Sequence, residues 1–195
     1  MTKDRVAVEQ RKTAETEIIV SINLDGEGKG DFKTGLGFFN HMLEQLSRHG
    51  EFDIEISVKG DLEVDEHHTI EDTGIALGKA FASALGDKKG IRRFSSALVP
   101  LDETLVRTVV DISGRPYLYQ DLPFTREMVG DFPSEMVVEF LRAFAFNMGI
   151  TLHTEILHGD NCHHQIEAVF KSLARALKKA VKIESDKIPS TKGVL

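Results

Sequence analysis

The sequence predicts an α+β fold made by internal duplication, with two four-stranded sheets and helices packed on one face of each. Two observations predict it. Strand-like and helix-like segments recur in the same order in both halves, and a His-His-x-x-Glu unit occurs twice. The units are His67, His68, Glu71 and His163, His164, Glu167, each residue displaced by 96 positions from its counterpart.

In the first half, "TEIIVSINL" (Thr16 to Leu24) is β-branched and alternating and runs into the turn-rich "DGEGKG". "GFFNHMLEQLSRHG" (Gly37 to Gly50) has helical spacing and closes on glycine. "FDIEISV" (Phe52 to Val58) alternates strictly and reads as a strand. The helix that begins with the first histidine pair places Ile70, Leu77, Ala80, Phe81 and Ala84 on one face and ends at Gly86. The half is strand, helix, strand, helix.

The second half repeats that order. "TLVRTVVDISG" (Thr104 to Gly114) is a β-rich run with "RPYLYQDL" as its expected partner strand. "PSEMVVEFLRAFAFNMG" (Pro133 to Gly149) is a helix with Ser134 as its expected N-cap, and "ITLHTEIL" (Ile150 to Leu157) is a strand. The last helix carries the second pair and a buried stripe of Ile166, Val169, Phe170, Leu173, Ala174 and Leu177. The halves are drawn as residues 1–92 and 93–195, with the boundary in Ile91 to Ser96 and no low-complexity linker, so they should pack as one body. The tail "DKIPSTKGVL" has the composition of a disordered terminus, expected to order on substrate binding.

Composition limits the chemistry. With 41% apolar and 28% charged residues, the chain of 195 is an ordinary globular sequence. A net charge of -7 argues against nucleic acid, which needs clustered positive charge. The single cysteine, Cys162, reads as a small helix-terminal residue and cannot form an intrachain disulfide. There is no apolar run approaching the ~20 residues of a membrane span, and the start lacks the apolar core of a signal peptide. The expectation is a cytoplasmic protein without membrane or nucleic-acid partners.

Residues four apart on a helix share a face, so His67 with Glu71, and His163 with Glu167, can reach one ion together. Adjacent residues diverge by roughly 100° around the axis, so His67 and His68 point to different ions. The economical arrangement is two crossed sites: His67, Glu71 and His164 at one, His163, Glu167 and His68 at the other. Imidazoles and carboxylates without thiolate suit manganese, iron, cobalt or zinc better than magnesium or calcium. Superposing the two glycine-closed helices sets His41 opposite Phe140 or, with one gap, Glu139, as a further ligand in each set, and His153 competes with Glu139 for that place. A lone His-His pair is more often a solvated helix start. Two copies with Glu at one offset are harder to attribute to chance. A metal that only staples halves or subunits together would use the same ligands.

The segments "FNHML", "DEHHTIEDTGIALG", "DISGRP", "HHQIEAVFKSLARAL" and "PSTKGVL" together resemble the imidazoleglycerol-phosphate dehydratase family over nearly the whole chain. The resemblance implies removal of water from imidazoleglycerol phosphate, a phosphorylated imidazole, to give imidazoleacetol phosphate in histidine biosynthesis. It also implies two Mn2+ ions per active site, with other divalent transition metals as alternatives, and a homo-oligomer of 24 subunits with sites between subunits. The implied metal ligands are His41, His67, His68, Glu71, Glu139, His163, His164 and Glu167. Many members carry His where this chain has Glu139, a departure that a carboxylate can absorb. The catalytic set is these ligands without Glu139, together with Glu15 of "RKTAETE" as acid or base. Substrate contacts fall on Glu15, His49, Arg93, Arg115, Lys171, Ser190, Thr191 and Lys192, the basic residues and hydroxyls meeting the phosphate. No carbonyl acidifies the C2 proton, so the imidazole would serve as electron sink, held as imidazolate by cations on its nitrogens, while a proton donor assists loss of the C3 hydroxyl. A metallohydrolase would share the ligands but release phosphate.

Overall fold

Apolar residues at every second position bury Ile18, Val20 and Ile22 while Glu17 and Ile19 face outward, the signature of a strand with one covered face. In the computed structural model, which describes residues 5–195, this segment is β2 (Thr16–Asn23) and follows β1 (Val6–Lys12). After β3 (Gly30–Lys33) come α1 (Gly37–Gly50), β4 (Asp53–Gly60) and α2 (His67–Leu85). The strands order as β1-β2-β4-β3, antiparallel except that β3 runs parallel to β4.

The second half copies this plan. β5 (Phe94–Leu101), β6 (Thr104–Asp111) and β7 (Tyr117–Asp121) are followed by a small hairpin, β8 (Met128–Val129) with β9 (Phe132–Pro133), that has no counterpart in the first half. Then come α3 (Met136–Met148), β10 (Thr151–His158) and α4 (Cys162–Ala180). Their sheet has the order β5-β6-β10-β7, again with only the last pair parallel. The duplication is therefore one of topology as well as motif.

Helices of each half lie between their own sheet and the helices of the other half: α2 covers β1 and β2, α4 covers β5 and β6, while α1 packs on α4 and α2 on α3. One apolar core runs through both halves, and Phe39, Phe81, Phe132, Phe140, Phe144 and Phe170 are fully buried in it. At the α2–α3 contact, a Cβ on Gly74 would stand 2.9 Å from the Phe140 carbonyl oxygen, and one on Gly78 2.6 Å from that of Phe144. Two glycines one turn apart let the helix backbones touch. No helix is long and apolar enough to cross a membrane.

Three expectations change. "RPYLYQDL" does form a strand, but β7 pairs in parallel with β10 at the far edge and makes no ladder with β6; a parallel neighbour needs the α3 crossover that follows it. Ser134 does not cap α3, whose Glu135 N-cap position has no side-chain bond; Ser134 contributes only its backbone carbonyl, to the Val137 N–H. The two sheets have four strands each, as expected, with β1, β3 and β5 the strands that the segment reading does not name. The tail is docked: the Lys187 carbonyl accepts from the Gly90 N–H at 2.9 Å and the Pro189 carbonyl from Arg93 at 2.8 Å.

Two predictions follow from this packing. Gly78→Ala forces a methyl into the Phe144 backbone, and overpacking of this kind outweighs the helix propensity gained, for a net loss of about 2 kcal/mol; an unchanged urea midpoint would contradict the close approach. Asp53 ties the β2–β3 turn to β4 by accepting the N–H groups of Glu27 and Lys29, both at 2.9 Å, and the Lys29 backbone bond leads the causes that hold its carboxyl below the usual value. A depressed carboxyl stabilises the fold above its unfolded pKa and loses that contribution as pH falls through the folded one. Asp53→Ala should thus lower stability by about 1 kcal/mol at neutral pH, and the gap should close as denaturation is followed downward from about pH 4.

Candidate metal and substrate site

Asn161 caps α4 by accepting the N–H groups of His163 and His164 at 3.0 and 3.3 Å, which fixes the first turn where both rings start. One turn on, Glu167 accepts from His163 Nε2 at 3.0 Å and from His41 Nε2 at 3.2 Å. His41 comes from α1, carried there by the α1–α4 contact. Phe38 sets its ring edgewise on His163, with centroids 5.1 Å apart. Ligand atoms of His41, His163 and Glu167 lie within 4.8 Å of one another, the only such group of three among the described residues.

The geometry suits a cation. With metal bonds of about 2.0–2.2 Å, neighbouring donors stand about 3 Å apart, the spacing already present across Glu167. Two imidazoles, a carboxylate and no thiolate match manganese, iron, cobalt or zinc. Burial opposes the charge on Glu167, but hydrogen bonds from Lys171, at 2.5 Å, and from His163 and His41 prevail and hold its pKa at about 2. The carboxylate is anionic at any working pH.

The first repeat is looser. His67 Nε2 is 3.8 Å from Glu71 on the same face of α2, as helical spacing predicts. Glu139 is on α3, the counterpart of the His41 helix α1, yet its carboxylate is engaged by Arg142 at 2.6 and 2.5 Å and joins no ligand group among the described residues. His153 meets no other ligand residue among the described residues of the chain, because strand alternation turns it outward. Its neighbour Thr154 faces inward to Thr108, which in turn bonds Ser172 of α4, so His153 lies on the outer face between the rings of Tyr117 and Tyr119. Cys162 is buried in the first turn of α4, as its helix-terminal reading expects.

His68 and His164 do not join either pair within one chain. His68 directs Nδ1 to Asp61 at 3.0 Å, and the Asp61 bond leads the causes that raise its pKa. His164 directs Nδ1 to Glu103 at 2.9 Å. That bond is the foremost of those that bring Glu103 to about 2. Glu15, exposed on the β1–β2 turn, stands 3.7 Å from His68 Nε2. Glu103 occupies the same place on the β5–β6 turn: Glu15-Thr16 and Glu103-Thr104 are the same dipeptide 88 positions apart. That second repeat was readable in the sequence and would have found Glu103; Gly60-Asp61 at the end of β4 likewise recurs as Gly159-Asp160 at the end of β10, but Asp61 alone of the two bonds a histidine of the pair.

The basic residues form two groups. Arg93 bonds Asp111 at 2.7 and 3.2 Å and the Pro189 carbonyl, while Arg115 lies 3.9 Å from Asp111 with two-thirds of its side chain exposed. Ser190, Thr191 and Lys192 follow Pro189 directly, and the Ser190 hydroxyl accepts the Lys192 N–H. Lys171 belongs instead to the Glu167 cluster. His49, on the last turn of α1, is held below its usual pKa first by burial and then by the charges of Lys171 and Arg175.

Residues 34–177 match the profile of the family described as imidazoleglycerol-phosphate dehydratase. The chain is 61% identical over 193 residues to the imidazoleglycerol-phosphate dehydratase of Caldanaerobacter subterraneus, covering 98% of this chain and 100% of that one. It is 60% identical, with the same coverage, to that of Thermoanaerobacter pseudethanolicus. Among solved structures, the dehydratase of Staphylococcus aureus superposes with a TM-score of 0.84 at 39% identity, covering 92% of this chain and 99% of that one. The Pyrococcus furiosus protein gives 0.83 at 38%, covering 95% and 99%.

Arg93 ties the tail to β6, so Arg93→Ala should release it. Loss of charge-assisted bonds of about 1.5–3 kcal/mol predicts at least tenfold faster amide exchange at 187–193, with the sheet amides unchanged; protection equal to that of the parent chain would show that other contacts hold the tail.

Proposed function

Because the chain belongs to the imidazoleglycerol-phosphate dehydratase family of hydro-lyases, we propose that it removes water from imidazoleglycerol phosphate to give imidazoleacetol phosphate in histidine biosynthesis, with two divalent transition-metal ions, Mn2+ foremost, at each active site. The observation that carries the metal reading is the grouping of His41, His163 and Glu167 in a chain that repeats the same unit 96 positions earlier. When bound, the two ions supply the positive charge that lets the substrate's imidazole ring take up electron density as the C2 proton leaves.

His163, Glu167 and His41 hold one ion and His67 and Glu71 the other. The crossed histidines, His68 and His164, are turned to Asp61 and Glu103 within their own chain, which favours their serving sites completed by a second copy. Assembly into a shell of 24 subunits with sites between subunits goes with that reading. Glu139 enters the second set by giving up Arg142.

Glu15 is assigned the proton work, since it is exposed, acidic and beside His68. Arg115, Ser190, Thr191 and Lys192 take the phosphate, with Arg93 offering the guanidinium N–H groups that Asp111 and Pro189 leave free. Lys171 keeps Glu167 charged, and with His49 it faces the same substrate. We place the reaction in the cytoplasm.

The test is ketone formation from imidazoleglycerol phosphate by the chelated chain with and without Mn2+. Activity that returns only with metal is expected, and Arg115→Ala should raise KM by about 10- to 100-fold at unchanged metal content, the equivalent of one charged hydrogen bond. Turnover without any metal would remove the ions from the mechanism, and phosphate release in place of ketone would mark a metallohydrolase.

A further inference from the structure

Each crossed histidine meets two carboxylates, one at each ring nitrogen. In the first repeat Asp61 sits at Nδ1 of His68, 3.0 Å away, and Glu15 on the Nε2 side at 3.7 Å. In the second, Glu103 sits at Nδ1 of His164, 2.9 Å away, and Asp102 on the Nε2 side at 3.9 Å. Sequence correspondence does not produce this likeness. The repeat equates Glu103 with Glu15, yet Glu103 does in its half what Asp61, on the loop after β4, does in the other. Two unrelated positions have arrived at one hydrogen bond, whereas His41 and His163 present Nε2 straight to Glu167.

A neutral imidazole that donates from Nδ1 must keep its lone pair on Nε2, and a carboxylate that only accepts enforces that tautomer. We propose that Asp61 and Glu103 are positioning residues that lock His68 and His164 as Nδ1–H tautomers with Nε2 presented to a cation. Glu103 is itself braced: its carboxylate accepts from Thr104 Oγ1 at 2.8 Å and from the Asn161 N–H at 3.1 Å, so the β5–β6 turn is stitched to the start of α4. Such outer partners fix ring orientation and raise the basicity of the free nitrogen, and their removal weakens metal binding by about 10- to 100-fold. The inference rests on the reading that both histidines are ligands.

The test has one arm without metal and one with it. In the metal-free full chain labelled with 15N-histidine and studied by solid-state NMR above the imidazole titration, the signals lost in His68→Gln and His164→Gln identify the two rings. Both should be Nδ1–H tautomers, and rings protonated at Nε2 would overturn the proposal whether or not the chain binds metal. In the second arm, free Mn2+ is counted by its electron paramagnetic resonance signal during titration. Glu103→Ala should weaken about 10- to 100-fold the ion shared with His67 and Glu71, and Asp61→Ala the one shared with His163 and Glu167, each leaving the other site intact. Asp61→Asn and Glu103→Gln still offer an accepting oxygen and should restore much of the affinity, a rescue that a merely structural role would not require. Alanine variants with affinities within twofold of the parent chain would sink the proposal. A parent chain that binds no Mn2+ at all would instead sink the functional reading, leaving the tautomers to decide the local one.

Discussion

The close approach of α2 to α3 over Gly74 and Gly78 is the constraint on which the rest depends. It brings helices of different halves into backbone contact, and the duplicated plan packs α1 on α4 as the counterpart pair. A side chain of the first half can then complete a ligand group of the second: His41 reaches Glu167 only because the halves interlock. Had each half packed its helices on its own sheet alone, no group of three would form.

On this scaffold the electrostatics are arranged by pairing. Glu167 is half-enclosed, which disfavours its charge, yet Lys171 and two imidazoles keep it ionised. Lys171 occupies Oε1, while both imidazoles approach Oε2. Carboxylates also attend His68 and His164, which orients both rings. Away from these acidic groups, Arg93 and Arg115 both stand at Asp111, beside the tail.

Much of this was legible beforehand. Strict alternation marked β2, β4 and β10, and spacing marked α1 and α2 to within a residue, because one face of each meets the core and the contrast is strong. β1 escaped notice because neither face is fully buried and Val6 and Val8 stay exposed. β5 went unread as well; it contains Pro100, which an edge strand tolerates. Ser134 has the chemistry of a cap without the backbone position for it.

The sequence by itself determined the duplication, the two His-His-x-x-Glu units, and the pairing of His67 with Glu71 and of His163 with Glu167, since helical periodicity is a local property of consecutive residues. Only the tertiary structure decided that His41 joins Glu167, that Glu139 is engaged by Arg142, that His153 faces outward, and that Asp61 and Glu103 receive the two crossed histidines. Those partners are separated by as many as 126 residues or lie on turns. Their meeting depends on how sheets and helices dock, which no spacing along the chain encodes.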